Sequence, residues 1–215
     1  MWLVCYVMMQ ASPEWQMGFD ISHLEGEVDW VNVDIGGHSF CFVKSTEGDD
    51  FVDPMAAENM KQARDKGLKV GAYHFYRNND EPDVQANNFI ANSPLLPGDL
   101  APVVDVETMS HEPHKDWLDD LRTFVSILES HYGVKPIIYT SPRFWNTHGS
   151  DEFGDLLLWV AEYGVEQPLI PQGFEQWTFW QHTEDTPMKG VPKPVDLNYF
   201  VGGSLERLTI PTSQD

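Results

Sequence analysis

Eight strand-length apolar runs lie along this chain, and the first five alternate with segments of helical period. Residues 17–22, 39–48, 69–76, 101–107 and 135–140 read as strands. Between them, 28–37, 53–68, 81–94 and 114–133 read as helices, and 142–147 begins a short fifth. Residues 114–133 are the clearest, with Trp117, Leu118, Leu121, Phe124, Val125 and Leu128 on one 3.6-residue face. Pro54 in the first turn and Gly67 at the end bracket the helix over 53–68. Three further runs, 155–163, 176–183 and 194–200, read as strands without convincing helices between them. Alternating strand and helix implies a parallel sheet with right-handed crossovers. Eight strands and about five helices point to an α/β fold closed as a modified TIM-like barrel, its last third stripped of helices. An open doubly wound sheet is the alternative, but no Gly-rich turn follows the first strand, where a dinucleotide site needs one.

At 215 residues one domain is expected. Residues 1–16 read as an N-terminal extension or signal remnant, 17–210 as the barrel and 211–215 as a tail. The apolar run from Trp2 to Met9 is too short to span a bilayer and lacks the basic start of a secretory signal. Cys5 and Cys41 make neither a disulfide framework nor a metal motif, and Cys41 reads as a small core residue. Thirty-four acids against thirteen bases give a net charge of −21. That balance argues against nucleic acid or anionic lipid as a partner, because phosphate binding needs Lys and Arg.

Polar and aromatic residues gather at the strand ends, where barrels of this kind carry their sites. Asp20 ends the first strand and Lys44, Thr46 and Glu47 the second. Tyr73, His74 and Tyr76 end the third, Asp105 and Glu107 the fourth, Tyr139 the fifth and Trp159 and Glu162 the sixth. Trp180, Gln181 and His182 end the seventh, and Asp196 and Asn198 the eighth. First and last strands adjoin in a closed barrel, so Asp20 and Asp196 should lie side by side, facing Asp105 and Glu107 across the mouth. Residues two apart on a strand share a face, so Asp105 and Glu107 point the same way. Crowded like charges resist ionising together, and burial raises a carboxyl further, which keeps one acid protonated beside an ionised one. An edge strand running into a solvated acidic loop would account for Asp105 and Glu107 alone. Lys44 with Glu47 also fits a plain rim ion pair, His74 a satisfied core histidine, and Trp177 and Trp180 a division between packing and cleft. In the segment HEPH, Pro113 breaks the helical spacing of a metallopeptidase motif, so His111, Glu112 and His114 read as a solvated loop.

GFDIS, Asp29–Trp30, FVKSTEG, FVDP at 51–54, GLKVGAYHFYR, Gln85–Ala86, PVVDVE, PIIYT, LWVAEY, WTFWQHT and VDLNYF occur in that order. Together, from about Met17 to Phe200, they resemble the glycoside hydrolase family 25 lysozymes, the Chalaropsis-type muramidases. The resemblance implies a modified β/α barrel that hydrolyses the β-1,4 bond between N-acetylmuramic acid and N-acetylglucosamine in peptidoglycan. It places Glu107 at the family's general acid, Asp105 at the first acid of its Asp-x-Glu motif, and Asp20 and Asp196 at the other two active-site aspartates. It places Tyr73, Tyr139 and Trp159 along the sugar cleft. His74, Glu47, Trp180 and Gln181 join them as substrate-binding candidates from their places at strand ends. Family members often carry Gln where this chain has Glu25 before Gly26, which adds an acid near the rim.

The expected activity is therefore glycoside hydrolysis by carboxylates, with no cofactor and no metal. It would act outside the cell or on the wall, with peptidoglycan strands as the partner and a monomer as the working state. Sequence spacing leaves retention or inversion of the anomeric centre open. Two other classes are considered: an inactive barrel that binds peptidoglycan or chitin fragments, and a metal-dependent barrel hydrolase using His74 with Asp20 and Asp105.

Overall fold

A computed structural model describes residues 15–212. Most of the extension read over 1–16, with Cys5, and the end of the tail lie outside the described residues. The strands are β1 (Gln16–Ile21), β2 (Phe40–Glu47), β3 (Phe51–Val52), β4 (Lys69–Phe75), β5 (Val103–Asp105), β6 (Ile137–Thr140), β7 (Leu157–Ala161), β8 (Phe179–Thr186) and β9 (Val195–Phe200). The helices are α1 (Ala56–Asp65), α2 (Pro82–Asn92), α3 (Trp117–Tyr132) and α4 (Pro142–His148). Eight strands close a ring in the order β1–β2–β4–β5–β6–β7–β8–β9, with β9 returning to β1, and β3 pairs with β2 outside the ring.

The ring is mixed, not parallel throughout. Neighbours from β1 to β8 run parallel, whereas β9 is antiparallel to both β8 and β1. The physical reason is the connection: residues 187–194 are too few for a parallel crossover, which needs a dozen or more. The reversal matters for the site, because it brings the start of β9, and not its end, to the rim where β1 finishes.

The helix expected over 28–37 does not form. Asn32 donates to the Asp29 carboxylate through its backbone N–H (3.3 Å) and its side chain (2.8 Å), and Gly36 N–H donates to Asp34 (3.0 Å). Such short side-chain bonds compete with helical pairing. The segment is also tied to the β8–β9 connection by Asp29 N–H to Gly190 O (2.7 Å) and Asp34 N–H to Lys189 O (3.1 Å).

Strand alternation sorts the core into two layers. Residues pointing outward, among them Phe19, Cys41, Val43, Val104, Ile138, Leu158 and Trp180, share one cluster with Phe89 of α2 and Leu121, Phe124 and Val125 of α3. Residues pointing inward, Phe40, Phe42, Val103, Ile137, Phe179 and Phe200, fill the barrel. Gly18 and Gly71 leave the room for two of these rings: a Cβ on Gly18 would overlap Phe40, and one on Gly71 would overlap Phe42. The lower barrel is thus solid hydrocarbon, and the polar inward residues are confined to the upper layer.

Candidate active site

Above the phenylalanine floor, one small cleft of about 100 Å³ is lined by Asp20, Tyr73, Asp105, Glu107, Tyr139, Trp159, Gln181 and Asp196. The register explains the gathering. Asp20 is paired with Asp196 across β1 and β9, as closure of the barrel requires. Asp105, Tyr139 and Trp159 stand at one level on β5, β6 and β7. Glu107, two residues beyond Asp105, leaves the strand and is the most exposed of the four acids, while Asp20 and Asp105 are buried.

Gln181 joins the two sides. Its side-chain amide donates to Asp20 Oδ2 (3.0 Å) and Asp196 Oδ2 (3.1 Å), and its carbonyl oxygen accepts from the hydroxyls of Tyr139 (2.7 Å) and Tyr163 (2.6 Å). Asn198 gives Asp20 a second donor (2.6 Å) and accepts from the Trp159 indole N–H (2.7 Å). Trp159 lies stacked on Phe42 with ring centroids 4.4 Å apart, so the barrel floor fixes its plane. Tyr163 lies past the end of β7, four residues beyond Trp159, so the period-2 alternation that places Trp159 inward was the signal that could have found it. Asn198 was visible as the inward neighbour of Asp196 on a period-2 strand.

All four carboxyls are raised above their ordinary values. Burial is the main cause for Asp20, followed by the charge of Asp196. Asp196 is pushed up to about 7 by burial and then by Glu25, Glu184 and Glu107. Burial raises Asp105 well above the usual range, the Glu107 charge adds to it, and Lys44 works the other way. Asp105 Oδ1 has no hydrogen-bond partner among the described residues. Glu107 is raised by the cleft walls that displace water around its carboxyl, again opposed by Lys44. Both carboxyls of this pair are therefore raised, chiefly by burial, and the two titrate as a pair.

Three of the sequence-derived candidates stand elsewhere. His74 points outward, wholly buried against Phe89 and Phe124. Its Nδ1 meets the Thr46 hydroxyl (2.7 Å), its Nε2 meets Gln85 Oε1 (3.2 Å), and burial drops its pKa to about 4. It is a neutral core histidine, and it cannot converge with Asp20 and Asp105 on a metal. Trp180 also points outward, donating to Glu162 O (2.8 Å) and packing on Trp177 and Tyr199. Glu47 forms a rim ion pair with Lys44 (2.6 Å) and Arg77. Burial would raise Glu47, but the two cations outweigh it and hold the carboxyl low. Glu25 caps the turn after β1, accepting from the Ser22 N–H (2.6 Å) and hydroxyl (2.9 Å), and its charge reaches Asp20 and Asp196.

Comparison with known proteins gives a consistent neighbourhood. The model of the family described as Glycosyl hydrolases family 25 matches residues 19–191. Lysozyme M1 of Streptomyces globisporus is 32% identical over 206 residues, covering 90% of this chain and 70% of that protein. The N,O-diacetylmuramidase of Arthroderma benhamiae is 28% identical, over 86% of this chain and 82% of its own length. The crystal structure of the bacterial lysozyme from Streptomyces coelicolor superimposes with a TM-score of 0.83 at 30% identity, covering 94% of this chain and all of the other.

Proposed function

This chain belongs to glycosyl hydrolase family 25 and is a glycoside hydrolase of the muramidase kind, and from that premise we propose that it cleaves the β-1,4 bond between N-acetylmuramic acid and N-acetylglucosamine in peptidoglycan, with Glu107 as general acid. The observation that carries the reading is the convergence of four carboxyls on one cleft, with Glu107 the most open and the others set behind it.

Glu107 donates its proton to the glycosidic oxygen as the leaving sugar departs. A bound sugar strips water from Glu107 and raises it further, the direction an acid needs to keep its proton until it meets the bond. Asp105 is the buried partner that shares that proton. Asp196, whose pKa of about 7 leaves it partly ionised near neutral pH, offers negative charge to the positive charge developing at the anomeric carbon, and one amide of Gln181 holds it beside Asp20. Tyr73, Tyr139 and Trp159 wall the cleft with rings that suit the apolar faces of a sugar. Either a water or the substrate's own acetamido group completes the displacement, and proton NMR of the first-formed anomer separates inversion from retention.

The test is mass spectrometry of soluble fragments released from purified peptidoglycan by the wild type and by Glu107→Gln. Fragments with reducing-end N-acetylmuramic acid from the wild type alone are expected. Intact glycan from both would make the protein a binding module, and a fully active Glu107→Gln would remove the acid from its assigned place.

A further inference from the structure

Glu107 borders a second depression on its other side, of about 390 Å³, lined by Glu107, Ser141, Arg143, Phe144, Thr147 and His148. Its chemistry is unlike that of the acid cleft. Arg143 is exposed and takes part in none of the ion pairs among the described residues, although the protein carries 34 acids to 13 bases. Phe144 is partly buried against the core, with its ring centroid 5.1 Å from that of His148 and the two planes tilted by 42°, which sets an aromatic edge on the depression. Ser141 accepts from the Phe144 N–H (3.2 Å), so its hydroxyl proton stays available to a ligand. Thr147 bonds back to Arg143 O (2.8 Å) and holds the turn that carries Arg143.

A general acid stands between the sugar whose anomeric carbon reacts and the sugar that leaves. The acid cleft, with Asp20 and Asp196, is on the anomeric side of Glu107, so the second depression is on the leaving side. Resting on the muramidase reading above, that side takes N-acetylglucosamine and then the next muramic acid. The muramic acid carries a lactyl carboxyl, either free or bonded to a peptide that bears carboxylates of its own.

We propose that this depression is a carboxylate-binding subsite, in which Arg143, assisted by the Ser141 hydroxyl and His148, selects an acidic group on the leaving-side muramic acid. An arginine fork matches a carboxylate in two hydrogen bonds, which a lysine at the same place cannot reproduce. The subsite gives a strongly negative enzyme a local attraction for a negative substrate next to its acid.

Three substrates test this: peptide-free glycan chains with free lactyl carboxylates, the same chains methyl-esterified, and chains with intact peptides. The wild type is expected to prefer a carboxylate-bearing chain over the ester by about tenfold in kcat/KM, carried by KM. Arg143→Ala should bring that preference close to one, and Arg143→Lys should retain part of it, with circular dichroism confirming that both fold. A preference for free lactyl chains identifies the lactyl carboxylate as ligand, and one for intact chains alone identifies the peptide. No preference in the wild type, or an undiminished one in Arg143→Ala, overturns the subsite. Cleavage of none of the three by the wild type overturns the muramidase reading instead.

Discussion

Gln181 makes four side-chain hydrogen bonds at once, two to carboxylates and two from tyrosines, so its replacement disturbs both sides of the cleft. Gln181→Leu removes the donor shared by Asp20 and Asp196 and leaves the hydroxyls of Tyr139 and Tyr163 unpaired. Small misplacements of reacting groups are expensive, so kcat should fall on the order of 10–100-fold with a smaller change in KM. Steady-state kinetics on a soluble glycan checks this, and an unchanged kcat would reduce Gln181 to a packing residue. Asp196 makes a prediction about stability. It is raised from 3.8 to about 7, so it holds its proton more tightly in the folded chain than in the unfolded one. Its contribution is fully present below the unfolded value and is lost as pH rises through the folded one. Asp196→Asn abolishes that slope, so the variant should gain on the wild type between pH 4 and pH 8. After discounting for the solvent around a half-exposed carboxyl, the gain should be about 1–2 kcal/mol. Urea midpoints at the two pH values measure it, and an equal difference at both would refute it.

At the scale of the element, period-2 alternation made the eight ring strands and the inward set Asp20, Tyr73, Asp105, Tyr139, Trp159, Gln181 and Asp196 legible, because a strand gives no choice of face once one residue is placed. The same rule also sends His74 and Trp180 outward, since each sits next to an inward Tyr73 or Gln181; proximity to a strand end had hidden that. The turn-rich segment 28–37 mimics an amphipathic helix because Val28, Trp30 and Val33 are all buried, and only the Asp29 and Asp34 bonds reveal the alternative. The direction of β9 was readable from a short connection, and the two-residue β3 was below the length at which a pattern exists. Gly71 in β4 links packing to the site. A methyl group there would meet the Phe42 ring and lie 3.2 Å from Leu100 Cβ, and Phe42 supports Trp159 from below. Gly71→Ala should cost about 1–3 kcal/mol as overpacking, at about 2–4 °C of Tm for each kcal/mol in a chain of this size. The displaced Trp159 should lower activity along with it. Thermal unfolding and a turnover assay on one sample test the link, and a destabilised variant of full activity would break it.

For the whole molecule the dominant fact is charge. A net −21 approaching a wall polymer rich in carboxylates, and in many bacteria in phosphates, meets repulsion that acts over a Debye length of about 10 Å at 0.1 M salt and about 30 Å at 0.01 M. Repulsion over that range slows encounter, in the way that opposite charges speed it. Screening should therefore raise the rate on intact walls severalfold between about 0.01 and 0.1 M salt at neutral pH. The contact assigned to Arg143 weakens with salt in the opposite sense, but it is one short-range pair against the field of twenty-one excess charges, so the long-range term should win at low ionic strength. At higher salt the encounter penalty is spent and the contact loss remains, giving a maximum instead of a plateau. Lowering the pH toward 5 also reduces the net charge as Asp196 takes up a proton, but it removes the ionised Asp196 that the chemistry uses, so the salt series and not a pH series is the clean measure of encounter. A short uncharged chito-oligosaccharide, if it is cleaved, feels none of the repulsion and should show no rise with salt. Turbidity clearance of walls and cleavage of the oligosaccharide, each measured across the salt series, separate encounter from chemistry. A rate on walls that only declines from the lowest salt upward would mean that local contacts in the cleft, and not the global charge, govern approach.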